Sequence, residues 1–296
     1  MPSDDVVLLV NPTSGKGAGA RAARLVLPRL QASGREVQAV AGRDADDALD
    51  IVREVVAAGV GTLAVCGGDG LVHTAVQALA GSSTRLGLIP AGTGNDVARM
   101  LGVPRRDPLA AADVLLAGRE RALDLARVGA TYFVTVMAAG FDAVVNERAN
   151  AMRWPRGQAR YSLATLAELR VLAPISYTLD LDGPEVSGEV HTDATLVAVG
   201  NGPSFGGGLR ITEGAEPDDG LLDVVVVAPM GRRELVRTYP QLFRGTHVHH
   251  PGYVRHRVRR VTVAAPGVVA YADGERIGAL PLTVEVAPGA LRVLVP

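Results

Sequence analysis

The sequence predicts an α/β domain followed by a β-rich one, with the change near residue 124. Up to about Leu123, short apolar runs alternate with glycine-rich loops and stretches of helical spacing, the signature of a doubly wound parallel sheet. Beyond it, apolar runs separated by Gly and Pro turns follow one another with few helices between, as in a largely antiparallel domain. The chain has 296 residues, of which 48% are hydrophobic and 21% charged, enough to bury such cores. Aromatics are only 4%, so the cores are mostly Val, Leu, Ala and Ile.

In chain order, Val6–Val10 is a buried parallel strand, Asn11–Gly17 a loop and Ala18–Ala32 a helix. Glu36–Ala41 is the second strand, and Asp44 caps a helix running to about Ala58. Thr62–Cys66 is the third strand, ending in Gly67-Gly68-Asp69-Gly70, and Leu71–Ala80 is helical. Leu86–Ile89, the fourth strand, ends in Pro90-Ala91-Gly92-Thr93-Gly94-Asn95-Asp96, and another helix starts near Asp96. Parallel strands deliver their following loops to one sheet edge, where ligands bind, so three loops distant in sequence are expected to meet. In the second half, strands are expected at Tyr132–Met137, Ile175–Leu181, Ala194–Val199, Leu221–Val227, Val254–Ala264, Val268–Tyr271 and Leu282–Val286. Helices are expected near Phe141–Ala151, Tyr161–Leu172 and Arg232–Arg244.

The formal net charge of −1 provides no global field for nucleic acid, which is not expected as a partner. Cys66 is the single cysteine, so no internal disulfide forms and a reducing cytoplasm is expected. Met1–Asp5 lacks the features of a signal peptide, and no apolar stretch approaches the roughly 20 residues of a spanning helix. The basic stretch Arg148, Arg153, Trp154, Arg156, Arg160, Tyr161 reads first as a solvated helix face and second as a membrane contact. His247, His249 and His250 lack zinc-site spacing and read as a surface loop.

Each glycine-rich loop suits phosphate. Asn11–Gly17 can turn tightly and offer backbone N–H groups at a helix start, and Lys16, the only lysine in the chain, lies inside it. It is not a Walker A loop, because Val10 and Gly17 stand where that motif needs Gly and Ser or Thr. In Gly67-Gly68-Asp69-Gly70 the glycines let backbone approach a polyphosphate. Asp69 among phosphates implies a bridging Mg²⁺; a helix cap is the plainer alternative. In the third loop, Asn95 or Asp96 can serve as a cap. Asp218-Asp219-Gly220 and Asp273-Gly274-Glu275 read, as bare residues, as turns.

Asn11-Pro12-x-Ser14-Gly15, Gly67-Gly68-Asp69-Gly70 and Pro90 to Asp96 together resemble the diacylglycerol kinase catalytic family, which includes bacterial lipid kinases and the sphingosine and ceramide kinases. The likeness continues through Gly140-Phe141-Asp142, Asn201-Gly202, Asp218 to Asp223 and Asp273-Gly274-Glu275. The resemblance implies an ATP- and Mg²⁺-dependent kinase acting on a lipid hydroxyl, diacylglycerol first. It would be cytoplasmic and transiently peripheral at the inner membrane face, with a homodimer as one allowed assembly. It implies a nucleotide-binding domain over 1–124 and a β-sandwich-like domain over 125–296, with the active-site cleft between them. By position, Asn11, Ser14, Gly15, Lys16, the segment Cys66, Gly67, Gly68, Asp69, Gly70, Leu71, Val72, and Thr93 would hold the nucleotide. Asp69 and Asp96 would organise catalytic magnesium and the acceptor. Glu275 would be the general base, with Asp273 as a metal or orienting group, and the Asp219 carboxylate with the backbone carbonyls of Glu216 and Leu221 would hold a second, structural Mg²⁺. The chain departs from the family pattern at Leu71, often Thr, at His73-Thr74, often Asn-Glu, and at Ala41, often Thr.

Overall fold

Five consecutive apolar residues, Val6–Val10, form strand β1, which is buried along its length in the computed structural model, where residues 5–140 and 173–296 are described. β1 lies between β2 (Val37–Val40) and β3 (Thr62–Gly67), and β3 pairs with β4 (Arg85–Pro90), all parallel. The helices are α1 (Ser14–Gln31), α2 (Ala45–Ala57), α3 (Asp69–Leu79), α4 (Asp96–Met100) and α5 (Pro108–Ala117). α1 packs with α5 and α2 with α3. Val26, Leu30, Val52, Val76 and Leu79 are fully buried, each contributing about 1.5–3 kcal/mol. Regular helix in α1 starts only after Gly15, Lys16 and Gly17, which are all left-handed. Asp44 caps α2 as expected, accepting from Asp47 N–H at 2.9 Å. The helix expected near Asp96 is only five residues long, with α5 following separately.

The chain divides into two compact units, Met1–Leu125 with Ala287–Pro296, and Ala126–Val286. It leaves the first unit in β5 (Glu120–Val128) and returns in β16 (Leu282–Leu294). The end of β16 runs parallel to β4, with Val293 opposite Leu86 and both Leu291 and Val293 fully buried. The last ten residues therefore complete the first sheet, whereas the sequence reading assigned them to the second domain.

The second unit holds two antiparallel sheets. In one, the start of β16 pairs with β13 (Arg260–Ala264), β13 with β8 (Ile175–Asp182) and β8 with β9 (Ser187–Ala194). The other has the order β12 (Tyr253–Val258), β11 (Leu222–Val227), β10 (Leu196–Gly200), β7 (Val136–Gly140), β14 (Val269–Ala272), β15 (Glu275–Ala279). Leu179, Leu181, Val261 and Val263 of the first sheet share a core with Val197, Val199 and Val224 of the second. The far face of the six-stranded sheet is buried too: Val136, Ala138, Leu196 and Val225 pack under Ile211, Tyr253 and Leu242 of α6 (Arg232–Leu242). Two covered faces explain why β7 and β10 are unbroken apolar runs rather than alternating ones.

The expected strand Tyr132–Met137 is two strands, β6 (Thr131–Phe133) and β7, because Val134 and Thr135 turn their N–H groups to the Asp273 side chain. Val254–Ala264 also divides: Arg259 donates its N–H to Asp182 O and accepts from Val286 N–H, so β12 and β13 join different sheets. β9 is a mostly polar edge strand with no apolar signal. The helices expected near Phe141–Ala151 and Tyr161–Leu172, with the basic stretch between Arg148 and Tyr161, lie outside the described residues.

Candidate active site

In the first unit the three glycine-rich loops meet. Asn11 shapes its own loop, its Oδ1 accepting from Thr13 N–H (3.1 Å), Thr13 Oγ1 (2.9 Å) and Ser14 N–H (3.2 Å). Ser14 Oγ then donates to the Ala91 carbonyl at 3.2 Å, joining loop one to loop three. Gly15 sits against the same carbonyl: at φ +54 a Cβ would lie 2.3 Å from it. Loops two and three are joined by Ala91 N–H to Gly67 O at 2.7 Å, and Gly68 and Gly92 pack backbone on backbone. Lys16, Gly70 and Thr93 are exposed on this assembly. The first turn of α3 adds N–H groups that a helix cannot satisfy internally.

Cys66 and Val72 stand differently. The Cys66 thiol is fully buried, donates to Gly19 O at 3.5 Å, and is pushed up to about 12 by burial. The Val72 side chain is also buried, so at both positions only backbone can meet a ligand. Leu71 packs beside Gly67, which leaves no room there for a Cβ.

The expected cap is supplied from elsewhere. Asp69 Oδ1 accepts from Asp96 N–H (2.7 Å) and Val97 N–H (3.3 Å), so loop two caps the helix of loop three. Asn95, left-handed at φ 51, instead folds back on Gly92, accepting its N–H at 2.9 Å and donating to its carbonyl at 3.0 Å. Asp96 is 5% exposed, with Arg99 Nε 3.5 Å from its carboxylate. Asp69 and Asp96 thus lie side by side at the foot of the loops.

In the second unit Asp273 and Gly274, at φ +52 and +90, make the two-residue turn between β14 and β15, with Ala272 opposite Glu275. The Asp273 carboxylate accepts from Val134 N–H (2.9 Å), Thr135 N–H (2.9 Å) and Thr135 Oγ1 (2.5 Å). Asn201 and Gly202 donate their N–H groups to Thr135 O at 2.8 and 2.9 Å, and Asn201 Nδ2 donates to Val134 O at 3.0 Å. Two motifs far apart in sequence are thereby joined through Thr135. Glu275 is exposed at the start of β15.

Asp219 forms a separate turn with exposed Glu216 nearby in sequence. One carboxylate oxygen accepts from Leu221 N–H at 2.9 Å and the other pairs with Arg257. Beside it, Asp223 is buried and pairs with Arg255; burial pushes its carboxyl above the ordinary value, and the guanidinium opposes this.

Residues 5–128 match the model of the diacylglycerol kinase catalytic domain, and residues 135–295 that of the YegS C-terminal NAD kinase beta sandwich-like domain. A diacylglycerol kinase of Mycobacterium tuberculosis is 44% identical over 296 residues, covering 98% of this chain and 95% of that one. The chain belongs to the diacylglycerol kinase family. A further diacylglycerol kinase, from Bacillus subtilis, is 30% identical over 93% of this chain and 90% of its own. The fold matches that of a solved diacylglycerol kinase from Bacillus anthracis, with TM-score 0.77 at 22% identity over 100% and 98% of the two chains.

For a diacylglycerol kinase family member, cations are implied at two places. Beside the joined glycine loops, the Asp69 carboxylate accepts from the Asp96 N–H, and the two carboxylates are hard oxygen donors of the kind that would hold Mg²⁺ together with substrate phosphates. Among the described residues no cluster of three or more His, Cys, Asp and Glu could hold a metal alone, so phosphate oxygens would complete the shell. At Asp219 one carboxylate oxygen accepts from Leu221 N–H and the other pairs with the Arg257 guanidinium. Thr135, Arg255 and Arg257 were not anticipated. Thr135 is one polar residue in an apolar run, and the two arginines alternate along β12, so the only signal was a break in each pattern.

Proposed function

We propose that this chain transfers the γ-phosphoryl group of ATP to the hydroxyl of a lipid, with diacylglycerol the first acceptor. The observation that carries the reading is the fusion of three glycine loops with the adjacent Asp69 and Asp96, a backbone cradle with a carboxylate pair at its foot. The loops would hold the phosphates through backbone N–H groups, Ser14 and Thr93, with Lys16 at the rim. A divalent cation held by Asp69 and Asp96 would neutralise charge developing on the phosphate oxygens. Glu275, exposed and free of the clamping that occupies Asp273, would accept the acceptor hydroxyl proton, while Asp273 fixes the turn that carries it.

A lipid acceptor is supported by a cavity of about 80 Å³ in the second unit, walled by Leu196, Phe205, Leu209, Ile211, Leu235 and Leu242. The test is transfer from labelled ATP across a panel of diacylglycerol, other lipid alcohols and NAD. Label in a lipid that requires Mg²⁺ supports the reading; label in NAD alone, or ATP binding without transfer to anything, overturns it.

A further inference from the structure

α6 has two faces. At about 100° per residue, Leu235, Thr238, Tyr239 and Leu242 fall within one arc of roughly 100°, the arc that walls the apolar cavity. Val236 and Pro240 occupy the opposite side with Arg232, Arg233 and Arg237, followed by Phe243 and Arg244 at the helix end, and all are exposed. Val236 is 55% and Phe243 45% exposed, and Val254 on neighbouring β12 is 44% exposed. This face gathers a Val–Pro–Phe ridge and flanking guanidinium groups in one place, a contiguous amphipathic patch rather than a single exposed side chain. The one acidic residue of α6, Glu234, pairs with His250. The whole chain has a net charge of −1, so this basic face is local and not a reflection of overall composition.

We infer that the outer face of α6 is the surface through which the protein docks on an anionic phospholipid bilayer. The inference rests on the proposed lipid acceptor, because an acceptor that lives in a bilayer must be met there, and among the described residues no helix can cross a membrane. The ridge enters the boundary between headgroups and acyl chains, the arginines pair with phosphates, and the apolar cavity lies directly beneath the same helix.

Sedimentation with vesicles tests it. The wild type binds 1:1 phosphatidylglycerol–phosphatidylcholine vesicles, binds phosphatidylcholine vesicles far less, and loses affinity with salt. Arg233→Gln with Arg237→Gln lowers anionic binding about 30-fold. Val236→Ser with Phe243→Ser removes the binding that survives high salt. Both pairs keep the wild-type Tm and the wild-type rate on a short-chain diacylglycerol dissolved as monomers. Wild-type-like vesicle binding by both variant pairs overturns the inference, as does equal wild-type binding to neutral and anionic vesicles. A dimer in light scattering that Val236→Ser with Phe243→Ser dissolves, with vesicle binding unchanged, identifies the face as a self-contact and also overturns it. If no acylglycerol is phosphorylated in any form, the proposed function fails, and vesicle sedimentation still reads the surface independently.

Discussion

Asp69 has two separable duties, and two substitutions at that one position divide them. Its Oδ1 accepts 2.7 and 3.3 Å hydrogen bonds from the first N–H groups of α4, while its charge stands beside Asp96. Asp69→Ala removes one good charge-assisted cap bond and one long one, worth together about 2 kcal/mol. For a unit of this size that is a Tm loss of roughly 5–8 °C. Asp69→Asn keeps an acceptor oxygen in the same place, so its Tm stays within about 2 °C of wild type. If the carboxylate also holds the magnesium of the nucleotide, Asp69→Asn still costs on the order of 10²-fold or more in turnover and raises the Mg²⁺ concentration needed for half activity. The assays are thermal unfolding followed by fluorescence and a Mg²⁺ titration of initial rate. An Asp69→Ala protein as stable as wild type would show the cap to be energetically empty. A fully active Asp69→Asn protein with unchanged Mg²⁺ dependence would remove Asp69 from metal binding.

Glu275→Gln should leave stability within about 0.5 kcal/mol, since the side chain is exposed, and nucleotide affinity unchanged, while turnover falls about 10²–10⁴-fold; normal turnover removes it as the base. Gly92→Ala places a Cβ 2.4 Å from Gly68 Cα, so the loops must part, costing about 1–3 kcal/mol and weakening ATP binding in calorimetry. Burial holds the His247 imidazole below its ordinary value of 6.5, so the unfolded chain takes up a proton before the folded one does. Its contribution is whole above that pH and is lost as the pH falls below it, and the decline in Tm between pH 7.5 and 5.5 should be shallower in His247→Gln.

Most of the first unit was legible because parallel strands buried on both faces are plain apolar runs, and their loops must gather at one edge. What the sequence could not show was which residue caps which helix. A Gly-Asp-Gly loop and an Asn-Asp pair each carry capping residues, and only the folded chain reveals that Asp69 reaches across to α4 while Asn95 turns inward. The second unit was less readable. β9 is polar because one edge faces solvent, and a single strand-like run, Val254–Ala264, changes sheets at Arg259 with no Gly or Pro to mark the step. Asp273-Gly274 had the form of a hairpin turn and is one; that its carboxylate also holds Thr135, and through it Asn201, depends on contacts some 70 to 140 residues apart in the chain.

The return of β16 to the first sheet sets an order of synthesis. Topologically the second unit is inserted between Leu125 and Ala287 of the first. On a ribosome making 5–20 residues per second, β4 therefore waits on the order of 10–40 s for the neighbour carrying Leu291 and Val293. During that interval its outer hydrogen-bonding edge is open to wrong partners. The residues that bring the phosphate loops together emerge well before the strand that completes the sheet beneath them.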